Sequence, residues 1–367
     1  MNNPIFYMPT KIICEEKAIK NHKNTLCEMG NKALIVTGYS SSKINGSLDD
    51  ITASLRALRI DYLIFDKVEE NPTLDTVEKI TIIGRENQVD FLIGVGGGSP
   101  IDAAKAAAVL INNKEANLDD LFTCPMLIAL PVVAIPTTAG TGTEATPYAI
   151  LTDHKLKTKR GIAQKVFPLV SFLDPTYLMN TPKSVTINTA VDALSHLIEG
   201  YLSTNSNLFS DGLAENGLSI FGECIKNIGA DNISIDIRKK LLISSCIAGI
   251  VISQAGTSLP HGMGYALTYY KNVPHGKANG ILLEPYLNFC EDKEKVKNII
   301  IYLGFNSVET LGAFLTNVLG EPVELTDEEM VSYAEAMASN EAKLKNHPSP
   351  VTYEDIIDIY KNSLRKI

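Results

Sequence analysis

Asp192, His196, His261 and His275 carry side chains able to ligate a divalent cation, and they fall in two separate stretches of the second half of the chain. The first pair lies in TINTAVDALSHLIEGYLS, where Val191, Leu194, Ile198 and Leu202 recur at the spacing of an amphipathic helix, so Asp192 and His196 sit one turn apart on one face. The second pair lies in LPHGMGYALTYYKNVPHGKANG, where each histidine follows a proline and precedes a glycine, a pattern that suits ligands carried on two consecutive short elements. One carboxylate with three imidazoles is the ligand set of a catalytic metal rather than of a structural one. Either pair alone also fits a hydrogen-bonded structural histidine or an i,i+4 ion pair. The other three histidines, His22, His154 and His347, stand in polar, loop-like sequence.

A chain of 367 residues with 45% hydrophobic content is long enough for two domains with ordinary cores. A net charge of −9 has the wrong sign for a phosphate backbone, and no basic stripe is interleaved with aromatics, so no nucleic-acid partner is expected. The longest apolar run, CPMLIALPVVAIP at 124–136, is too short to span a bilayer, so no membrane partner is expected either. The first residues, MNNPIFYMPTKI, lack the basic start and apolar core of a secretion signal, and a cytoplasmic location is expected. The cysteines at 14, 27, 124, 224, 246 and 290 show no CxxC spacing and read as small buried hydrophobes.

The elements that must position the ligands change character along the chain. ALIVT (33–37), DYLIFD (61–66), VDFLIGVG (89–96), VVAIPT (132–137) and LVSFLDP (from 169) alternate with helical stretches, the rhythm of parallel strands joined by crossover helices. From about 181 the pattern is almost wholly helical, including 208–228 and 238–255, with TPKS offering a proline and a capping Thr or Ser. This predicts an α/β domain over 1–180 and an all-α domain over 181–367, with a ligand pocket in the cleft between the two.

In the first domain, VDFLIGVGGGSPIDAAKAAAVL runs from a buried strand through Gly94, Gly96, Gly97 and Gly98 into a helix entered at Ser99 and Pro100. Glycines there let backbone approach a phosphate, and the free N–H groups of the helix start attract its charge. Such a turn also serves plain strand-to-helix connections. IPTTAGTGTEATPYAI follows the next strand, and its hydroxyls at Thr137, Thr138, Thr141 and Thr143 could hold a pyrophosphate or ribose at the same sheet edge.

Taken together, GVGGGSPIDAAKA, PTTAGTGTEAT, FLDP, VDALSHLIEGYLS, HGMGYALT and NVPHGKANGILL resemble the iron-containing (group III) alcohol dehydrogenase family over nearly the whole chain, fading after about residue 290. The resemblance implies a Rossmann-like N-terminal domain and a helical C-terminal domain in the dehydroquinate synthase-like architecture. It also implies a homodimer and hydride transfer between a small alcohol or aldehyde and NAD or NADP. Carried over by motif, Asp192, His196, His261 and His275 are the Fe2+ ligands. Gly96, Gly97, Gly98 and Ser99 hold the pyrophosphate with Asp102 close behind, Thr137, Thr138 and Thr141 line the cofactor, and Asn71 lies near its adenosine end. A lysine before the FLDP strand often contacts the cofactor in this family; Lys157 and Lys159 compete for that place, and Lys159 joins the candidate set.

Two departures matter. Many members carry an acidic residue after the first strand that disfavours a 2′-phosphate. Here Gly38 stands there, followed by Ser40, Ser41, Ser42 and Lys43, which favours NADP over NAD. An ordinary Ser-rich turn reads the same way. Tyr265, four residues after His261, replaces a non-ligand histidine that many relatives use to move protons, so it joins the catalytic candidates. The implied chemistry is Lewis-acid activation of a primary alcohol or its aldehyde; the ligands also suit Zn2+, and iron rests on the resemblance. Leu259, Met263 and Tyr265 are expected to wall the substrate pocket. The rivals are a glycerol dehydrogenase or a dehydroquinate synthase-like lyase of the same architecture, and a non-catalytic metal-binding oligomer.

Overall fold

The β-rich runs of the first half form one sheet. In the computed structural model, which describes residues 5–230 and 232–366, the strands are β1 (Lys11–Cys14), β2 (Lys32–Gly38), β3 (Asp61–Val68), β4 (Phe91–Gly96), β5 (Val132–Pro136), β6 (Ile150–Asp153), β7 (Thr158–Gly161) and β8 (Val170–Leu173). Six of them pair in the order β1-β8-β5-β4-β2-β3, all parallel. Every residue of β4 and β5 is buried, as expected of parallel strands covered on both faces. Counted from β2, the order is the 2-1-3-4-5 of one doubly wound class, and the direction of winding reverses between β2 and β4. Ligands bind at such a switch point, outside the carboxyl ends of the strands.

Two features of this unit carry no periodic signal in the sequence. β1 is four residues long and exists through its pairing with β8, from Lys11 opposite Val170 to Cys14 opposite Leu173. β6 and β7 form an antiparallel hairpin whose turn includes Lys157, a non-glycine residue at φ 52° in the left-handed region. The unit comprises Met8–Thr181 with Ser234–Leu242.

The second unit comprises Met1–Tyr7, Pro182–Ile233 and Ile243–Ile367. Its helices include Lys183–Leu202, Leu208–Cys224, Leu259–Lys271, His275–Gly280, Leu283–Phe289 and Tyr353–Ser363, and a two-residue parallel pair, Glu324–Leu325 with Arg365–Lys366, interrupts the helical pattern. Pro182 takes the N-cap position of the Lys183–Leu202 helix with no side-chain cap bond, so neither Thr181 nor Ser184 plays the capping role that the TPKS motif suggested.

The Lys183–Leu202 helix departs from the amphipathic reading in a way that decides the site. From Ala190 to Leu202 every residue is buried, including Asp192, Ser195, His196 and Glu199. Positions 192, 195, 196 and 199 share one face, so the helix carries a polar stripe inward. The short His275–Gly280 helix meets it backbone to backbone: a Cβ at 276 would overlap the Asn188 carbonyl oxygen and one at 280 would overlap the Val191 side chain. Two glycines one turn apart thereby bring His275 and Asn279 up to Asp192. Among the described residues, no single helix is long and apolar enough to cross a membrane.

Gly276→Ala should therefore lower the thermal midpoint by roughly 2–12 °C, from an overpacking cost of about 1–3 kcal/mol. Gly212→Ala, in the Leu208–Cys224 helix where an added Cβ meets nothing within 4 Å, should leave it unchanged or raise it. Melting curves by circular dichroism read both, and equal midpoints would contradict the close approach.

Candidate active site

The polar stripe meets the two histidine motifs at one point. His261 enters on the first turn of the Leu259–Lys271 helix and His275 begins the next helix. One ligand atom each from Asp192, His261 and His275 lie within 4.8 Å of one another. Asp192 Oδ1 is 3.6 Å from His261 Nε2 and 3.7 Å from His275 Nε2. These gaps are too long for hydrogen bonds, and they match the spacing of atoms that each sit about 2.1 Å from a shared ion. His261 Nε2 is buried and makes no hydrogen bond, an arrangement that is costly without a ligand. The donor set and the orphaned nitrogen fit a divalent cation. His196, one turn after Asp192, stacks on His261 with ring centroids 4.4 Å apart.

Residues absent from the sequence reading complete this cluster. Glu199, fully buried two turns after Asp192, accepts a short hydrogen bond from His261 Nδ1. Asn279 Nδ2 donates to Asp192 Oδ1 at 3.0 Å and lies 3.3 Å from His275 Nε2. Burial raises the Asp192 carboxyl, but the imidazoles of His196, His275 and His261 more than offset it and hold it far below the usual carboxylate range. Burial pushes the His261 imidazole down, and Glu199 and Asp192 reverse this and raise it. Tyr265 stacks on His275 at 5.8 Å, and Lys343 Nζ lies 5.5 Å from the Tyr265 ring centroid. Leu259 and Met263 do not wall a pocket: both are sealed in the core, because their turn of the helix faces inward with His261.

The structure also moves His347 out of the polar setting its sequence suggested. It is buried, stacked on Phe289 at 5.3 Å, and burial lowers its pKa to about 4. Cys224, Cys246 and Cys290 are buried as expected, whereas Cys27 is exposed.

In the first unit, the nucleotide candidates gather at the carboxyl ends of adjacent strands. Gly38 ends β2, Asn71 follows β3, Gly96–Ser99 follows β4 and Thr137–Thr141 follows β5. Gly96 has φ +144°, open to glycine but rarely to other residues, and it turns the chain into the Gly98–Asn112 helix. That helix has no side-chain cap bond at Gly97, which leaves its first N–H groups for an anion. The two loops pack together: a Cβ at 97 would lie 3.3 Å from Thr138 Oγ1 and one at 98 would lie 3.0 Å from Thr141 Oγ1. Asn71 N donates to Ser99 Oγ at 3.0 Å, and Lys159 Nζ donates to Asn71 Oδ1 at 2.7 Å. Lys159, on β7, therefore reaches this edge, while Lys157 occupies the hairpin turn. Ser40, Ser41 and Lys43 are exposed beyond Gly38, and Lys43 Nζ pairs with Asp66 Oδ2 at 2.5 Å.

Comparison with known proteins decides between the families that share this architecture. A family model described as iron-containing alcohol dehydrogenase matches residues 9–175, and its C-terminal counterpart matches residues 186–364. The chain belongs to the iron-containing alcohol dehydrogenase family. It is 32% identical to an NADPH-dependent butanol dehydrogenase of Clostridium saccharobutylicum, covering 86% of this chain and 82% of that one. It is 30% identical to the lactaldehyde reductase of Escherichia coli K12, covering 90% and 91%. A solved iron-containing alcohol dehydrogenase of Thermotoga maritima superposes with a TM-score of 0.92 at 42% identity, over 98% of this chain and 99% of that one.

As an iron-containing alcohol dehydrogenase, the chain is an oxidoreductase whose family implies a metal and a nicotinamide cofactor. Its threonine-rich loop hangs on a residue that sequence reading missed. Lys105, fully buried in the Ala-rich Gly98–Asn112 helix, donates to the carbonyl oxygens of Thr143, Thr146 and Tyr148 at 2.7–2.8 Å. The signal was there, a lone lysine in DAAKAAAVL. Both Asp102 oxygens are engaged in the same network, with Thr143 Oγ1 at 2.6 Å and Ile150 N at 2.9 Å. Glu144 is buried beside them with Oε1 making no hydrogen bond, and burial raises its pKa to about 7.

The Glu144 carboxyl, at about 7 folded against 4.5 in the unfolded chain, keeps its proton in the native state after the unfolded state has lost it. Its contribution to stability is fully present below pH 4.5 and is lost as pH rises to about 7. Glu144→Gln should remove this component, so the melting-point difference, variant minus wild type, grows across that window; a difference independent of pH would contradict the assignment.

Proposed function

We propose that the chain is a metal-dependent alcohol dehydrogenase and aldehyde reductase that transfers hydride between a primary alcohol or its aldehyde and NADP(H). The convergence of Asp192, His261 and His275 on one point, with the buried His261 Nε2 lacking a hydrogen bond, carries the reading. When bound, the cation supplies Lewis-acid polarisation of the substrate oxygen and the nicotinamide supplies or accepts hydride. Asp192, His196, His261 and His275 hold the cation, with Asp192 as its only carboxylate ligand and Asn279 steadying that carboxylate. The iron of the family description supports Fe2+; the same donors suit Zn2+. Tyr265, stacked on His275, offers a phenol able to donate or accept a hydrogen bond beside the ligand cluster.

On the cofactor side, Gly97, Gly98 and Ser99 offer helix-start N–H groups to the pyrophosphate, and the Thr138 and Thr141 hydroxyls face the same loop. Thr137 fixes the start of its loop by donating its N–H to Gly96 O at 2.8 Å. Asn71 and Lys159 form a polar pair at the adenosine end. Asp102 acts by holding the threonine loop in place. The preference for NADP rests on Gly38, which leaves no carboxylate to repel a 2′-phosphate, and on the exposed Ser40, Ser41 and Lys43. Asp66 offsets the Lys43 charge, but an exposed pair of this kind is worth only about 0–1 kcal/mol, so a phosphate can compete for the lysine. The name of the Clostridium relative, an NADPH-dependent butanol dehydrogenase, points the same way.

Aldehyde-dependent NADPH oxidation should be abolished by a chelator and restored by ferrous iron. The kcat/KM for NADPH should exceed that for NADH by roughly tenfold or more, a difference of about 1.4 kcal/mol, and Lys43→Ala should narrow the ratio. A clear preference for NADH would overturn the cofactor assignment, and turnover untouched by chelation would overturn the metal-dependent reading.

A further inference from the structure

We infer that Glu199 is a positioning residue for the metal centre: it locks His261 in the tautomer that carries hydrogen on Nδ1 and turns the Nε2 lone pair toward Asp192. The inference rests on the metal-dependent reading above and assigns a role to a side chain outside the ligand set.

A carboxylate with no exposure to water is strongly unfavourable in a helix interior unless its oxygens are satisfied. Four donors meet Glu199. Oε1 accepts from His261 Nδ1 and from Ser195 Oγ at 2.8 Å, and Oε2 accepts from Ser258 N at 2.7 Å and from His261 N at 3.4 Å. Ser195 lies on the same face of the same helix, and Ser258 and His261 belong to the start of the Leu259–Lys271 helix, so the carboxylate is held from both elements. With its lone pairs occupied it cannot turn away from the imidazole. A carboxylate beside Nδ1 demands the N–H there, which leaves Nε2 as the only lone pair the ring can offer.

Charge supports the same assignment. Lys343, whose Nζ donates to Thr257 Oγ1, offsets the negative charge of Glu199. Asp192 then remains the sole carboxylate set against a divalent ion, and the centre keeps a net positive charge with which to bind an oxyanion. Were Glu199 uncompensated, that charge would be neutralised from behind.

Zn2+ affinity measured by competition with a colorimetric chelator tests this on the full chain. Wild type should bind one ion that Asp192→Asn loses, and Glu199→Gln should bind the same single ion roughly 10–100-fold more weakly. Equal affinity in wild type and Glu199→Gln overturns the role of Glu199 while leaving the metal site intact. Zn2+ binding that Asp192→Asn does not alter overturns the metal reading itself, and the inference with it. Should Glu199→Gln fail to fold, 15N-histidine spectra of Zn2+-loaded wild type give the answer, with His261 assigned from the His261→Gln spectrum. A protonated Nδ1 and a metal-bound Nε2 are expected; a protonated Nε2 overturns the inference.

Discussion

Burying Asp192 and Glu199 two turns apart on one helix is the constraint around which the second unit is arranged. Neither carboxylate can stay ionised there without partners, since the desolvation cost per ion is several kcal/mol. The partners come from three other segments. Ser258 and His261 reach Glu199 from the next motif, Lys343 balances its charge, and Asn279 steadies Asp192. Gly276 and Gly280 make the last contact feasible, because any side chain there would hold the His275–Gly280 helix away from Asn188 and Val191. In this arrangement the buried His261 Nε2 facing Asp192 Oδ1 makes no hydrogen bond, and the metal-dependent reading rests on that nitrogen.

The first unit solves a different problem with the same economy of buried charge. A parallel sheet wound in both directions leaves a gap at the carboxyl ends of β2 and β4, and glycines and threonines fill that edge with small groups and free N–H donors. Loops so poor in side-chain bulk need an internal anchor. Lys105 provides it from beneath, bonded to three carbonyl oxygens of the threonine-rich segment, and Asp102 ties the same segment to Ile150. The loop shape is therefore set in the protein interior, with Thr143 Oγ1 bonded to both Asp102 and Lys105.

Much of this was legible in the sequence, for reasons that differ by feature. The five parallel strands announced themselves as short β-branched runs, and β4 with its glycines gave the strand-to-helix glycine turn. β1 was silent because four residues hold no period, and the β6–β7 hairpin because its strands are half-polar and are held by Pro72 O accepting from Thr152 N at 2.8 Å. The Asp and His candidates were visible by type and spacing. Glu199 was visible too, on the face of Asp192, but an amphipathic reading assigns a glutamate to solvent. Lys343 and Asn279 had no signal, since charge balance and amide contacts across the fold are not local properties. Leu259 and Met263 misled in the opposite sense: lying near the ligands in sequence, they point into the core rather than toward a substrate.

The central claim is that one cation sits among residues drawn from both histidine motifs and the buried helix. The most direct test is a crystal structure of the protein loaded with Fe2+, with anomalous data collected at the iron absorption edge. One anomalous peak about 2.0–2.3 Å from Asp192, His196, His261 and His275 is the predicted result. A peak elsewhere, or none at this cluster in fully loaded crystals, would contradict the account.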